Sequence, residues 1–160
     1  MNKRTERRLL LAAERLAGVG HWRLDLITNT LFWSDEVYRI HGYEPGEITP
    51  DLEFAVNAYH PDDREALMAA IARGLETGES YKHRMRLIRR DGNERLVLTH
   101  ADTERGADGK VTAMFGVFQD VTEQEQTHAA VAASERAFRN LAEQTSDIIA
   151  VFRLDGTFRY

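Results

Sequence analysis

One short segment, residues 60–63, concentrates side chains that could do chemistry. It reads His60, Pro61, Asp62 and Asp63. An imidazole beside two carboxylates could bind a metal ion or transfer protons. The same residues also form a strong helix start, because proline fits the first helical position and acidic side chains complement the helix dipole. Helix initiation accounts for every residue, so we expect a helix to begin here and no metal or acid–base site.

The other side chains of catalytic type are scattered. The remaining histidines have no metal-type spacing; they are His21, His41, His83, His100 and His128. The chain has no cysteine, which excludes disulfides, thiolate nucleophiles and iron–sulfur clusters. The sequence also lacks a glycine-rich phosphate loop and a nucleophile–base pair. We therefore expect neither a catalytic centre nor a metal site in these residues.

The composition is that of an ordinary globular chain. Apolar residues make up 42% of the 160 residues, charged residues make up 29%, and the net charge is −5. This negative charge disfavours nucleic acid as a partner. The apolar runs at residues 9–13 and 111–118 are too short to cross a bilayer. We expect a cytoplasmic protein that binds neither nucleic acid nor membrane.

The spacing of apolar residues along the sequence predicts the helices and strands that would hold any functional site. Residues 1–17 predict an amphipathic helix, and residues 18–120 predict one domain of two strands, several small helices and three strands. This order indicates an α+β fold with a five-stranded antiparallel sheet whose helices cover one face. Ser34 is a favourable N-cap for the first small helix. Residues 121–143 predict a long linker helix, with Asp120 and Glu123 in a capping box at its start.

A short internal repeat predicts further structure at the C-terminal end. Residues 16–17 (LA), 23–25 (RLD) and 32–33 (FW) recur as 141–142 (LA), 153–155 (RLD), then Phe158 with Tyr160. The second copy is too short to bury a core alone. We expect residues 144–160 to be the truncated start of a second, similar domain.

Six motifs in order resemble the PAS family of sensory domains. Gly20, Trp22 and Asp25 give the G-x-W-x-x-D form of the first strand. The resemblance continues through residues 31–36 (LFWSDE), 39–43 (RIHGY), 60–63 (HPDD), 89–92 (RRDG) and 120–123 (DVTE). It covers residues 18–124 and implies the PAS fold flanked by N- and C-terminal signalling helices.

The resemblance also implies a function. PAS arrays of this kind are input halves of sensor histidine kinases, and less often of diguanylate cyclases or phosphodiesterases. The family uses terminal helices as dimer contacts and as the link to an output domain of the same chain. Asp120 and Thr122 correspond to the family's signalling hinge. We expect a homodimeric input domain, with a stand-alone small-molecule-binding module as the alternative and an enzyme as a weaker third.

Two cofactors of the family are not expected. Oxygen-sensing members ligate haem through a histidine on the long helix, and residues 61–77 contain none. Flavin-binding members need an adduct-forming cysteine, which this chain lacks. Leu87, Val97 and Phe118 stand where flavin-contacting amides would be. We therefore expect neither haem nor flavin.

Strand parity and the resemblance together predict the two faces of the sheet. The inward set is Trp22, Leu24, Tyr38, Met85, Leu87, Val97, Thr99, Met114 and Phe118. It forms either a filled core or a ligand cavity, and we expect the filled core. If a small molecule binds, Tyr38, Met85, Thr99 and Phe118 are the expected lining.

The outward set is apolar as well and needs a cover. It consists of Leu96, Leu98, Phe115 and Val117. We expect it to pack against the N-terminal helix through Leu9, Leu10 and Leu16, or against a second subunit.

Overall fold

The computed structural model describes residues 3–144, 151–152 and 158–159. The chain divides into two compact units, Met1–Thr122 and Glu123–Tyr160. Helices in the first unit are α1 (Lys3–Ala17), α2 (Asp35–His41), α3 (Leu52–Asn57) and α4 (Pro61–Thr77). Its strands are β1 (Val19–Asp25), β2 (Thr30–Trp33), β3 (Tyr81–Ile88), β4 (Glu94–Arg105) and β5 (Val111–Asp120). Helix α5 (Thr122–Gln144) follows β5.

The strands form one five-stranded sheet in the order β2-β1-β5-β4-β3, and every neighbouring pair is antiparallel. Strand β5 is central and pairs with both β1 and β4. The α+β fold and the five strands predicted from the hydrophobic pattern are confirmed.

A single hydrophobic core lies between this sheet and the three short to medium helices. Helices contribute Val37, Ile40, Val56, Leu67, Ala70 and Ile71. Strands contribute Leu24, Trp33, Tyr81, Met85, Leu87, Val97, Ala101, Met114 and Phe118. Helices therefore cover one face of the sheet, as the alternation of apolar residues requires.

Helix α4 begins as the sequence predicts. Pro61 occupies its first turn with Asp62 and Asp63, and the His60 Nδ1 accepts a hydrogen bond from the Asp62 backbone N–H at 3.3 Å. Gly78 ends the helix in the left-handed conformation, with φ of 76°. Within the described residues, no group of three or more acidic or histidine side chains could hold a metal ion.

The hydrogen bonds at two predicted caps differ from those expected. Ser34 is the N-cap residue of α2, as predicted, but its hydroxyl makes no capping bond and instead accepts a hydrogen bond from the backbone N–H of His21 on β1 at 3.0 Å. The Asp120 carboxylate accepts from the backbone N–H of Thr122 at 2.9 Å rather than from that of Glu123. In both cases the side chain accepts from a backbone N–H other than the expected one.

Helix α1 does not cover the outer face of the sheet. Leu9 is 56% exposed and Leu16 is 89% exposed, while Phe115 and Val117 remain 39% and 44% exposed. The helix instead meets the sheet at the beginning of β1, where a Glu14 Oε1 lies 2.7 Å from the His21 Nδ1. Of the two predicted covers, α1 therefore leaves Phe115 and Val117 exposed, and the second subunit stays a prediction.

The second unit contains most of α5 and a short antiparallel pair. Strand β6 (Val151–Phe152) pairs with β7 (Phe158–Arg159). The repeat residues 153–155 and Tyr160 lie outside the described residues. The second domain stays a prediction. No helix in the described part of the chain is long and apolar enough to span a membrane.

Candidate functional site: the interior cavity, the strand-to-helix junction and the outer face

A small cavity of about 60 Å³ remains inside the core. Its walls come from the sheet and all three core helices. They are Trp22, Leu24, Leu31, Trp33, Val37, His41, Leu52, Ala55, Val56, Tyr59, Leu67, Ile71, Tyr81, Thr99, Met114 and Phe118. A cavity of this volume has space for a few waters or a very small molecule.

Two of the four predicted lining residues do line this cavity, namely Thr99 and Phe118. The other two are placed elsewhere. Met85 is buried in the core but is not among the residues that line the cavity. The Tyr38 hydroxyl donates to the Ile48 carbonyl at 3.2 Å, its ring lies edge-on to Trp33, and the residue does not line the cavity.

The sequence reasoning missed His41, the most unusual residue in the cavity wall. Its side chain is 3% exposed and stacks between Trp33, at 4.2 Å between ring centroids, and Phe118, at 5.2 Å. Burial, with a smaller contribution from the nearby Arg89, lowers the pKa of His41 to about 4. The imidazole is consequently neutral near pH 7.

The hydrogen bonding of His41 fixes its tautomer. The Nδ1 lies 2.8 Å from the Val37 carbonyl oxygen, so the Nδ1 carries the proton and donates. The Nε2 is then a bare acceptor, and it is buried without a hydrogen-bond partner. The i, i+4 spacing from Val37 was a visible signal, since Val37 lies on the buried face of α2.

The hydroxyls in the cavity wall also stay neutral. Burial raises the pKa of Tyr81 to about 12 and raises the pKa of Tyr59 well above its usual value. With His41 neutral too, the cavity presents uncharged polar groups on an apolar wall. It suits a small neutral molecule, and its volume is far below the roughly 300 Å³ of an ordinary ligand pocket.

The junction between β5 and α5 is a compact hydrogen-bonded network of Leu96, Asp120, Val121 and Thr122. The Leu96 backbone N–H donates to the Thr122 Oγ1 at 2.8 Å, and the Thr122 hydroxyl donates to the Asp120 Oδ1 at 2.6 Å. The Val121 N–H donates to the Leu96 carbonyl at 2.9 Å. The two residues predicted as a signalling hinge are thus brought together, and both are tied to β4.

A second polar link joins α4 to β3. The Asp63 carboxylate accepts from the Arg86 Nη2 at 2.7 Å, from its Nε at 3.1 Å and from its backbone N–H at 2.8 Å. Hydrogen bonds from Arg86 hold the pKa of Asp63 below its usual value. The helix-start reading of residues 60–63 missed this second role, because Arg86 lies 23 residues away in sequence.

The outer face of the sheet carries an open depression centred on β5. It is lined by His21, Trp22, Arg23, His100, Ala101, Asp102, Phe115, Gly116 and Val117. Of the predicted outward set, Phe115 and Val117 are exposed, and Leu96 and Leu98 are half-buried. Phe115 and Val117 are two residues apart on β5, so their exposed side chains are neighbours within this depression.

A sheet of this order with helices on one face and a polar junction at its last strand is the architecture of a PAS domain. The family model described as "PAS fold" matches residues 30–118, which is more than half of the chain. The chain belongs to the PAS-fold family.

Named sensor proteins are similar to this chain. The sensor protein FixL of Bradyrhizobium diazoefficiens is 29% identical over 140 residues, covering 87% of this chain and 27% of FixL. A blue-light-activated histidine kinase of Brucella anthropi is 31% identical over 114 residues, covering 71% of this chain and 22% of that protein. The chain thus spans about a quarter of the length of each, and its relatives include sensor proteins and histidine kinases.

Solved structures agree on the fold. A sensory box histidine kinase/response regulator from Burkholderia thailandensis gives a TM-score of 0.63 at 27% identity, covering 82% of this chain and 98% of that one. The N-terminal domain of a diguanylate cyclase with a PAS/PAC sensor, from Marinobacter aquaeolei, gives 0.61 at 19% identity, covering 67% of this chain and 98% of that one. The second likeness concerns the fold alone.

Proposed function

We propose that this chain is a dimeric PAS input domain of a sensor histidine kinase, relaying a signal from its sheet to α5. The single observation that carries the proposal is the junction, in which Thr122 accepts from Leu96 of β4 and donates to Asp120. A few hydrogen bonds, each contributing about 1 kcal/mol, form a link that a modest change in the sheet can break. In this proposal these hydrogen bonds join the sensory domain to the output helix α5.

The relatives support a kinase as the output. Sensor and histidine kinase descriptions belong to proteins that this chain matches over most of its length but of which it covers a minor part. The output domain is therefore proposed to lie in the same polypeptide, in the cytoplasm. A diguanylate cyclase output is the second candidate, favoured only by the fold shared with the Marinobacter aquaeolei domain.

The proposed domain works without haem or flavin. Support comes from the cavity, whose volume of about 60 Å³ is several times smaller than pockets that hold such groups. A stand-alone module that binds a small molecule is the remaining alternative, and the neutral cavity beside His41 favours it. Ligand binding that leaves the pairing of subunits and the junction unchanged would support that alternative.

Dimerisation is proposed to bury the outer face. Phe115 and Val117 are exposed there although α1 belongs to the same unit, and a second copy would remove them from water. Phe115→Lys should weaken the dimer at least about tenfold, because it places a charge in an apolar contact. Sedimentation equilibrium measures this change.

A matched control is Met68→Lys, since Met68 is a similarly exposed apolar residue, 46% exposed on α4. It should leave the dimer constant unchanged. A wild-type chain that stays monomeric at high concentration would contradict the dimeric part of the proposal.

A further inference from the structure

A surface groove of about 220 Å³ lies between the C-terminal end of α2, helix α3 and the turn that joins β3 to β4. Its walls include His41, Tyr43, Phe54, Asn57 and Arg89. Among the described residues, only His41 lines both this groove and the interior cavity. Because His41 is buried, its side chain forms the wall between the groove and the cavity.

Two side chains of the groove each have a buried polar atom without a hydrogen-bond partner in the described part of the chain. The His41 Nε2 is an acceptor, because the Nδ1 of the same ring donates to the Val37 carbonyl. The Arg89 Nε–H is a donor. Leaving a buried donor and a buried acceptor unpaired is costly, so a molecule that satisfies both would bind favourably.

The two side chains are close neighbours. The Arg90 backbone N–H donates to the His41 carbonyl at 3.0 Å, which ties the end of α2 to the turn after β3. A Cβ added at Gly42 would lie 3.5 Å from the Arg89 Nε. The positive charge of Arg89 also contributes to the lowered pKa of His41. One small ligand can therefore reach both residues.

The charges around the groove are largely compensated. Arg90 forms an ion pair with Glu47, and the Arg89 Nη1 lies 3.6 Å from the Asp91 Oδ2. The His41 ring is neutral near pH 7. A carboxylate has no proton to donate to the His41 Nε2. The groove therefore suits a neutral ligand better than an anion.

Aromatic rings form another part of the groove wall. Tyr43 and Phe54 are both half-buried, and their ring centroids lie 5.9 Å apart in an edge-on arrangement. An aromatic ligand packs favourably against such rings. The volume of the groove is below the roughly 300 Å³ of a pocket for a drug-sized molecule, which favours a ligand with a single ring.

We propose that this groove binds a small phenol, whose hydroxyl donates to the His41 Nε2 and accepts from the Arg89 Nε–H while its ring packs against Phe54. A hydroxyl oxygen can donate and accept at the same time. Both nitrogen atoms are buried, so the phenol reaches them by a small displacement of the two side chains. This inference goes beyond the proposed relay and needs neither the dimer nor an output domain.

An NMR titration of the whole chain with phenol tests the site. Binding should be saturable, and the backbone amide signals of Asn57, Ala58 and Arg90 should shift. The signals of Leu24 and Thr99, which line the interior cavity from the sheet, should stay in place. Anisole has the same ring but no hydroxyl proton, and it should bind at least about tenfold more weakly than phenol.

Two variants test the hydrogen bonds. His41→Phe keeps an aromatic ring between Trp33 and Phe118 but removes the acceptor, and Arg89→Met removes the donor. Each should weaken phenol binding at least about tenfold and leave anisole binding unchanged. The matched control is His128→Phe, at an exposed position on α5, which should leave both affinities unchanged. A variant that does not fold would lose both ligands and its dispersed amide spectrum together.

Every other outcome overturns the inference. A wild-type chain without saturable phenol binding would mean that His41 and Arg89 are satisfied by water alone. Equal affinities for phenol and anisole would remove the role of the hydroxyl. Shifts confined to Leu24 and Thr99 would place the phenol in the interior cavity rather than in the groove. None of these results bears on the proposed relay, which is tested through subunit pairing and kinase output.

Discussion

The Leu96 backbone N–H donates to the Thr122 side-chain oxygen at 2.8 Å, which ties the start of β4 to the residue at which α5 begins. These residues are 26 positions apart in sequence. Thr122 also donates to Asp120, so its one hydroxyl serves both the sheet and the turn after β5. A threonine with this double role makes the junction sensitive to small displacements of β4.

Thr122→Val should lower the free energy of unfolding by about 1–2 kcal/mol. Valine keeps the shape of the side chain but leaves the partly buried Leu96 N–H without its acceptor and removes one of the two hydrogen bonds from Thr122 to the Asp120 carboxylate. Urea unfolding measures the change. The control is Thr127→Val, because the Thr127 hydroxyl bonds only to the Glu123 carbonyl on the exposed surface of α5; it should change stability by less than about 0.5 kcal/mol. Equal effects at both positions would remove the special role of Thr122.

Asp63→Asn should destabilise the domain by about 1–2 kcal/mol, since it removes the charge that accepts three hydrogen bonds from Arg86. The neighbouring Asp62→Asn is a matched control, because the Asp62 side chain is 74% exposed and lies 3.7 Å from Arg86. It should change stability by at most about 0.5 kcal/mol.

Because the pKa of Asp63 is lowered, the stabilisation from the Asp63–Arg86 hydrogen bonds depends on pH. Because Arg86 lowers this pKa in the folded state, the stabilisation is complete above the unfolded value near 3.8 and is lost as pH falls below it. Unfolding at pH 6 and pH 3 should therefore show a smaller difference for Asp63→Asn than for the wild type. A wild type and variant with identical acid dependence would contradict the assignment.

His41 should make the fold lose stability between about pH 6.5 and pH 4. Its folded pKa of about 4 lies below the unfolded value of 6.5, so the buried neutral ring stabilises fully above 6.5 and protonation favours unfolding below it. A shift of this size corresponds to about 3 kcal/mol. Urea unfolding across this range checks the loss.

Two variants isolate that effect. His41→Phe keeps an aromatic ring between Trp33 and Phe118 and should flatten the decline in stability. His128→Asn changes an exposed histidine and should leave the decline as it is in the wild type. Persistence of the full decline in His41→Phe would assign it to other groups.

The sequence was sufficient to predict the sheet and the start of α4, because the alternation of apolar residues and the helix-start residues are local signals. It also indicated that Asp120 and Thr122 act together, since they are two residues apart. The sequence was insufficient to predict hydrogen bonds between residues that are far apart in the chain. Ser34 was read as a cap, yet its hydroxyl bonds to His21 of β1, and nothing near Asp63 pointed to Arg86.

The cavity shows the same limit. Strand parity indicated Thr99 and Phe118, which line the cavity, but parity says nothing about helices, so it gave no guide to Tyr38 or His41 on α2. A polar residue on the buried side of a short helix is visible only when Trp33 and Phe118 are seen to stack on it. The exposure of Leu9 and Leu16 likewise depended on where α1 meets the sheet.

The most direct test of the central claim is the autophosphorylation rate of the sensor kinase proposed to contain this domain, compared between wild type and Asp120→Ala. The substitution removes the acceptor of both Thr122 donors. The account predicts a rate changed by about fivefold or more, with the dimer constant unaltered. An unchanged rate in a folded, dimeric variant would contradict it.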